Sequence, residues 1–200
     1  SLGESTAVFA LKAWTARDEM LCRMNASTLF THHLAGPCDA ARATWGLKEN
    51  EAVDWVSGVI DCPEAVVKKA LTGRKRVYLL IVNTLNECVV GGNRTAVEEL
   101  VKTLGCRFFP LSHVTAVHCE VVQQVKKPYR DLHLFETTAR DLTFYSCAWA
   151  GAYEIGTQSA ADAILAQALG TIDFPRVIHA AYQDGVRIFL EMGPGNSCTR

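Results

Sequence analysis

Hydrophobic positions along this chain change spacing at clear boundaries, and the spacing predicts the elements. Ser5 to Leu11 is a small, apolar run suited to a helix packed closely on a sheet. Arg17 to Asn25 continues as a helix, with Met20, Leu21 and Met24 at helical intervals. Gly36-Pro37 breaks the chain, and Ala40 to Trp45 reads as another short helix. The period then switches. Val53 to Ile60 alternates like a strand, and Pro63-Glu64 opens a helix running to Leu71, before Gly73. Val77 to Val82 is a fully apolar strand, and Glu87 to Val90 follows as another. Gly91-Gly92 leads into a helix from Thr95 to Leu104, and Arg107 to Leu111 closes as a strand. Strand, helix, strand, strand, helix, strand is the order of a ferredoxin-like split βαβ unit, here spanning 51–111. The α/β pattern resumes with a helix from Glu120 to Tyr129, a strand from Leu142 to Ala148 and a helix from Ser159 to Leu169. A helix from Pro175 to Tyr182 carries proline at its start, and Val186 to Met192 is an apolar strand ending in Gly-Pro-Gly. The prediction is an α/β fold: a parallel, helix-covered sheet from 1–50 and 112–200, interrupted by the ferredoxin-like small subdomain.

Composition narrows the function classes. With 20 lysines and arginines against 21 aspartates and glutamates in 200 residues, the chain has neither a basic stripe for nucleic acid nor an acidic tail. An apolar share of 49% supports a real core. Cys22, Cys38, Cys62, Cys88, Cys106, Cys119, Cys147 and Cys198 are scattered, with no C-x-x-C pair, and most lie in apolar stretches. That usage predicts reduced thiols and a cytoplasmic protein. No run is long enough for a membrane helix, and no charged-then-apolar leader precedes the fold. No histidine pair has convincing metal spacing, so no zinc is expected.

Candidate chemistry starts at Ser1-Leu2-Gly3-Glu4. One reading is the second half of a nucleophile elbow: Gly3 permits the tight strand-to-helix turn that exposes a serine hydroxyl, and the Leu2 amide points at a developing oxyanion. The other is a capping box, in which Ser1 and Glu4 tie off orphan helix amides and do no chemistry. Of the histidines, His118, just before a helix, reads by itself as structural, and His113 lies at a strand exit. His32 and His33 read as exposed loop residues, and His133 and His179 have no assigned role.

The chain resembles the malonyl-CoA:acyl-carrier-protein transacylase family, in the form found as acyltransferase domains of fatty acid and polyketide synthases. Ser1-Leu2-Gly3-Glu4 is similar to the end of that family's G-H-S-L-G-E elbow. Val89-Val90-Gly91-Gly92, followed by Ala96-Val97-Glu98, is similar to its "V-V-S-G … A-V-E" signature. Ser112 to His118 resembles the segment ending in the catalytic histidine, and Phe189 to Gly195 resembles the closing F-L-E-V-G-P-G. Ala26 to Thr31, Val114 to His118 and Gly195 to Cys198 further resemble the acyltransferases of polyunsaturated fatty acid synthases.

The resemblance implies an α/β-hydrolase-like core, incomplete at its N-terminus, with Ser1 as nucleophile and His118 as general base. It implies transfer of an acyl group from acyl-CoA or malonyl-CoA to the phosphopantetheine thiol of an acyl carrier protein, within a multidomain synthase and without a bound cofactor. It implies that a backbone carbonyl orients the histidine, at a position falling on Gln167. A solvent-facing helix glutamine is the competing description, because the side chain is not the group required. Malonyl-type members grip the extender's carboxylate with an arginine beyond the elbow. Gap-free counting puts Ala26 there, a one-residue slip puts Asn25, and Arg23 lies one turn earlier, so the acyl group stays undecided. A chain opening at a catalytic serine reads as a fragment, expected to be inactive alone. Two alternatives remain: a thioesterase using the same Ser-His pair, and a carrier-docking domain presenting Lys68, Lys69, Arg74, Lys75 and Arg76.

Overall fold

The computed structural model describes residues 2–112, 115–138 and 141–193. The first helices are α1 (Leu2–Ala10), α2 (Arg17–Ala26) and α3 (Asp39–Trp45). Between α2 and α3, Leu29–His33 forms a π-helical turn that buries Leu29, an element that the spacing of apolar residues does not announce.

Residues 55–110 follow the predicted order: β1 (Trp55–Ile60), α4 (Glu64–Leu71), β2 (Val77–Thr84), β3 (Glu87–Asn93), α5 (Arg94–Leu104) and β4 (Phe108–Pro110). The strands lie side by side as β4-β1-β3-β2, and every neighbouring pair is antiparallel. Period-2 alternation divides the sheet's faces. Val56 and Ile60 turn toward α4 and α5 and pack with Val67, Val97 and Leu100. Trp55 and Val59 turn the other way, onto the larger core formed by the remaining helices. There Trp55 stacks between Trp45 and Tyr78, with centroids 5.8 and 6.1 Å away, and the Trp45 indole N–H donates to the Tyr78 hydroxyl at 2.9 Å. This ladder fixes the sheet against α3.

Glu120 to Tyr129 is not one helix. It is a 3-10 segment over Glu120–Val125 followed by α6 (Lys126–Leu132). The break places Pro128 in the first turn of α6, where its missing N–H leaves no intrahelical bond unmade. Then come β5 (Phe144–Ser146), β6 (Gly151–Tyr153), α7 (Thr157–Leu169), β7 (Ile172–Asp173) and α8 (Phe174–Gln183).

The expected α/β architecture is present, with fewer paired strands among the described residues of 1–50 and 112–200 than the spacing suggests. The predicted strand over 142–148 shortens to β5 and pairs antiparallel with β6 in a hairpin. The parallel pairing observed among the described residues is β7 on β2, which adds a fifth strand to the small sheet. Residues 186–192 join no sheet among the described residues, with Ile188, Leu190 and Met192 79–91% exposed. An apolar alternating run becomes a strand only beside a neighbour offering a ladder, and no described strand lies there. No described helix is long and apolar enough to cross a membrane.

Candidate active site

His118 follows the buried pair Ala116 and Val117 and is itself 5% exposed. Its backbone adopts the left-handed conformation, φ 65°, unusual for a residue with a side chain. That conformation lets one residue engage two adjacent carbonyls. The His118 amide donates to the Ala168 carbonyl at 2.7 Å, and Nδ1 lies 2.6 Å from the Gln167 carbonyl. Both carbonyls belong to the last turn of α7, where helix geometry leaves acceptors without intrahelical donors. The imidazole therefore takes its orienting partner from a helix end. With Nδ1 donating, the tautomer is set and Nε2 carries the lone pair. Burial pushes the imidazole's pKa down to about 4, against the opposing pull of the Gln167 carbonyl, so the ring is neutral at physiological pH. Gln167 is 2% exposed, which overturns the description of a solvent-facing glutamine.

Ser1 and His113 lie outside the described residues, as do Val114 and the terminal 194–200 stretch. Leu2 is the first residue of α1, so its amide is among that helix's orphan donors. The Glu4 carboxylate sits near the Tyr153 hydroxyl, which donates to Oε1 at 3.3 Å, and the Cys147 backbone also stabilises its charged form. Burial raises its pKa more strongly than these contacts lower it. Glu4 thus closes a tertiary contact with the β5–β6 hairpin.

His118 lines a cavity of about 700 Å³ between α1, α2, α7 and the face of the small sheet turned away from α4 and α5, with Ser5, Thr6, Phe9, Met20, Leu21, Met24, Phe30, Leu80, Val89 and Gln167 among its walls. Arg17, Met20, Leu21 and Met24 reach it together because they form one helical stripe on α2. Arg23, Asn25 and Ala26 do not. Arg23 Nη1 donates to the carbonyls of Leu134 and Asp131 at 3.0 and 3.3 Å. Its Nη2 meets Glu19 at 2.5 Å, and its guanidinium lies 4.1 Å from the centre of the Phe135 ring. Asn25 and Ala26 are exposed, and Ala26 shares with Arg23 a separate shallow groove against α6. The substrate-binding assignment of all three fails on helix phase: they lie on faces that α2 turns away from the cavity.

Sequence reasoning missed two wall residues. His133, 7% exposed, lines the cavity with Nδ1 2.8 Å from the Tyr129 carbonyl, and burial lowers its pKa. Ser57, on β1, is 2% exposed, and its hydroxyl has no hydrogen-bond partner among the described residues. The alternation of β1 marks Ser57 as sharing the cavity face with Trp55 and Val59, a signal available before folding. His32 is exposed and His33 half-buried.

His118 also borders a second groove, of about 750 Å³, on the side of α4 and β2. Lys68, Arg74, Lys75 and Arg76 line it together with Trp45 and Tyr78. Lys68 pairs with Glu64, Arg74 reaches Thr103, and Arg76 donates to the Trp45 carbonyl, while exposed Lys75 projects at the edge. Among the described residues no group of histidine, cysteine and carboxylate side chains could hold a metal ion.

Comparison with known proteins points one way. No family model matches the chain. Over 98% of its length it is 23% identical to a polyunsaturated fatty acid synthase subunit of Thraustochytrium sp., and spans 10% of that protein. Acyl-carrier-protein S-malonyltransferase from Bartonella henselae superposes on all of the chain with a TM-score of 0.73 at 18% identity, the chain covering 61% of that structure. The acyltransferase domain from the second module of the salinomycin polyketide synthase matches 80% of the chain with a TM-score of 0.62 at 21% identity, the chain covering 38% of it. The chain therefore has the fold of these acyltransferase domains, over part of their length.

Proposed function

We propose that this chain is part of an acyltransferase domain that moves an acyl group from a CoA thioester to the phosphopantetheine thiol of an acyl carrier protein. The observation that carries the reading is the His118 imidazole, buried, neutral and bound through Nδ1 to the Gln167 carbonyl, beside a cavity within an acyltransferase fold. Ser1 is the nucleophile. Its hydroxyl passes a proton to His118 Nε2 as the oxygen attacks the thioester carbon. The Leu2 amide stabilises the oxyanion. The C–S bond then breaks, and the imidazolium returns its proton to the departing thiolate. The carrier's thiol repeats the sequence in reverse, and the last-turn carbonyls of α7 stabilise the imidazolium each time it forms.

In this reading 51–111 is a ferredoxin-like small subdomain inserted into an α/β-hydrolase-like core made by 1–50 and 112–200. The synthase of which it is part makes fatty acids or polyketides, with polyunsaturated fatty acid synthesis the favoured setting. The reaction requires no bound cofactor; the anionic phosphopantetheine arm belongs to the carrier protein and lies along the basic groove. The described cysteines are all unbridged, which supports a reducing, cytoplasmic setting.

The test uses the intact protein and radiolabelled acyl-CoA. Label should appear on Ser1 and move to added carrier protein faster than to water. His118→Ala should slow acylation by about 10³-fold or more, and His113→Ala should leave it nearly unchanged. The reverse ranking removes His118 as the base, and an unlabelled wild type removes the reading. Discharge to water as fast as to carrier would make the protein a thioesterase.

A further inference from the structure

We propose that the cavity beside His118 receives an uncharged acyl chain rather than a carboxylated extender unit, an inference that rests on the acyltransferase reading above. Three observations carry it. First, the walls are apolar on opposite sides: Met20, Leu21 and Met24 from α2 face Leu80 and Val89 from the small sheet. Secondly, among the described residues the cavity holds no fixed cation where a carboxylate would need one. Arg23 is committed to Leu134, Asp131, Glu19 and Phe135, outside the cavity. Arg17 stands at the rim with its side chain 79% exposed and 3.8 Å from Asp18. A carboxylate drawn among these walls would lose its hydration and gain no paired charge, which is the costly way to bury an ion. Burial lowers the pKa of His133 and so disfavours a charge there. Thirdly, about 700 Å³ is the size of a small-molecule site. A malonyl group would leave most of it unfilled, forfeiting dispersion contacts along the walls. A hydrocarbon chain would fill it, and each methylene buried is worth about fourfold in binding.

The experiment measures single-turnover acylation of Ser1 in the intact protein by mass spectrometry, with acetyl-, hexanoyl-, decanoyl- and malonyl-CoA. The rate constant should rise with chain length at up to about fourfold per methylene until the cavity is full, and decanoyl should exceed malonyl by at least about tenfold. A malonyl rate equal to or above decanoyl, or no dependence on length, overturns the proposal. Met24→Arg places a cation on the cavity wall at a residue 39% exposed. It should cut the decanoyl preference at least about tenfold, and an unchanged preference overturns the assignment of this cavity. Calorimetric binding of decanoyl-CoA and malonyl-CoA to Ser1→Ala separates the two levels. Preference for decanoyl in binding without acylation of wild type leaves the cavity assignment standing and removes the acyltransferase. Acylation with malonyl preferred does the opposite.

Discussion

The His118 imidazole is neutral because it is buried, and burial links its protonation to folding. Its pKa falls from the ordinary 6.5 of the unfolded chain to about 4 in the fold, so between those values the unfolded chain binds more protons. The stabilisation is fully present above pH 6.5 and is lost as pH falls through 4. Full loss amounts to about 3 kcal/mol. Urea denaturation followed from pH 7 to 4.5 should show the decline. His118→Asn should flatten it, leaving His133, which shifts in the same direction, opposed by Glu4, whose raised pKa acts the other way. Asparagine tolerates the left-handed backbone and can donate to the Gln167 carbonyl, so the fold should survive while acylation is lost. Arg23→Ala makes the complementary case. It should cost about 1 kcal/mol, through the Leu134 bond and the Phe135 face, without changing the acylation rate. The resemblance placed a backbone carbonyl at Gln167 beside His118, and the structure brings the two together. Arg23, Asn25 and Ala26 came from counting alternatives, whereas the Met20–Leu21–Met24 stripe, already visible in the sequence, is what α2 turns to the cavity.

Elements with their own hydrogen-bond partners could be read ahead of the structure; elements that depend on a distant neighbour could not. β1 alternates and β2 is a continuous apolar run, and each of β1 to β4 finds its ladder within 55–110. The 186–192 run is as apolar a strand candidate, yet it joins no described sheet. The two glycines after Val90 illustrate how closely the small sheet is built. Gly92 sits at φ 148°, and a Cβ there would lie 2.1 Å from the Arg76 carbonyl oxygen, with Val77 Cα at 2.8 Å. Because the obstruction is backbone, it cannot swing aside. Gly92→Ala should destabilise the protein by about 3 kcal/mol, read as a lowered urea midpoint at unchanged slope.

At the scale of the whole molecule, the imidazole stands between an apolar cavity and a basic groove, and these suit the two ends of an acyl-phosphopantetheine thioester. Lys75→Glu at the groove's edge should raise the KM for carrier protein about fivefold and weaken its salt dependence. Acylation by a small thioester lacking phosphate should not change, and a loss there would remove the groove from carrier binding. The β7–β2 seam has a mechanical consequence for this arrangement. Ile172 pairs with Ile81, and the Thr171 hydroxyl donates to the Leu79 carbonyl at 2.7 Å, only a few residues beyond the Gln167 carbonyl that steadies the imidazole. The floor on which the hydrocarbon would rest and the bracket that aims the base are thus yoked. On the proposed reading, any hinge that swung the small sheet outward would drag the imidazole out of line, so a chain too bulky for the resting chamber would stall the proton relay instead of stretching the chamber to fit.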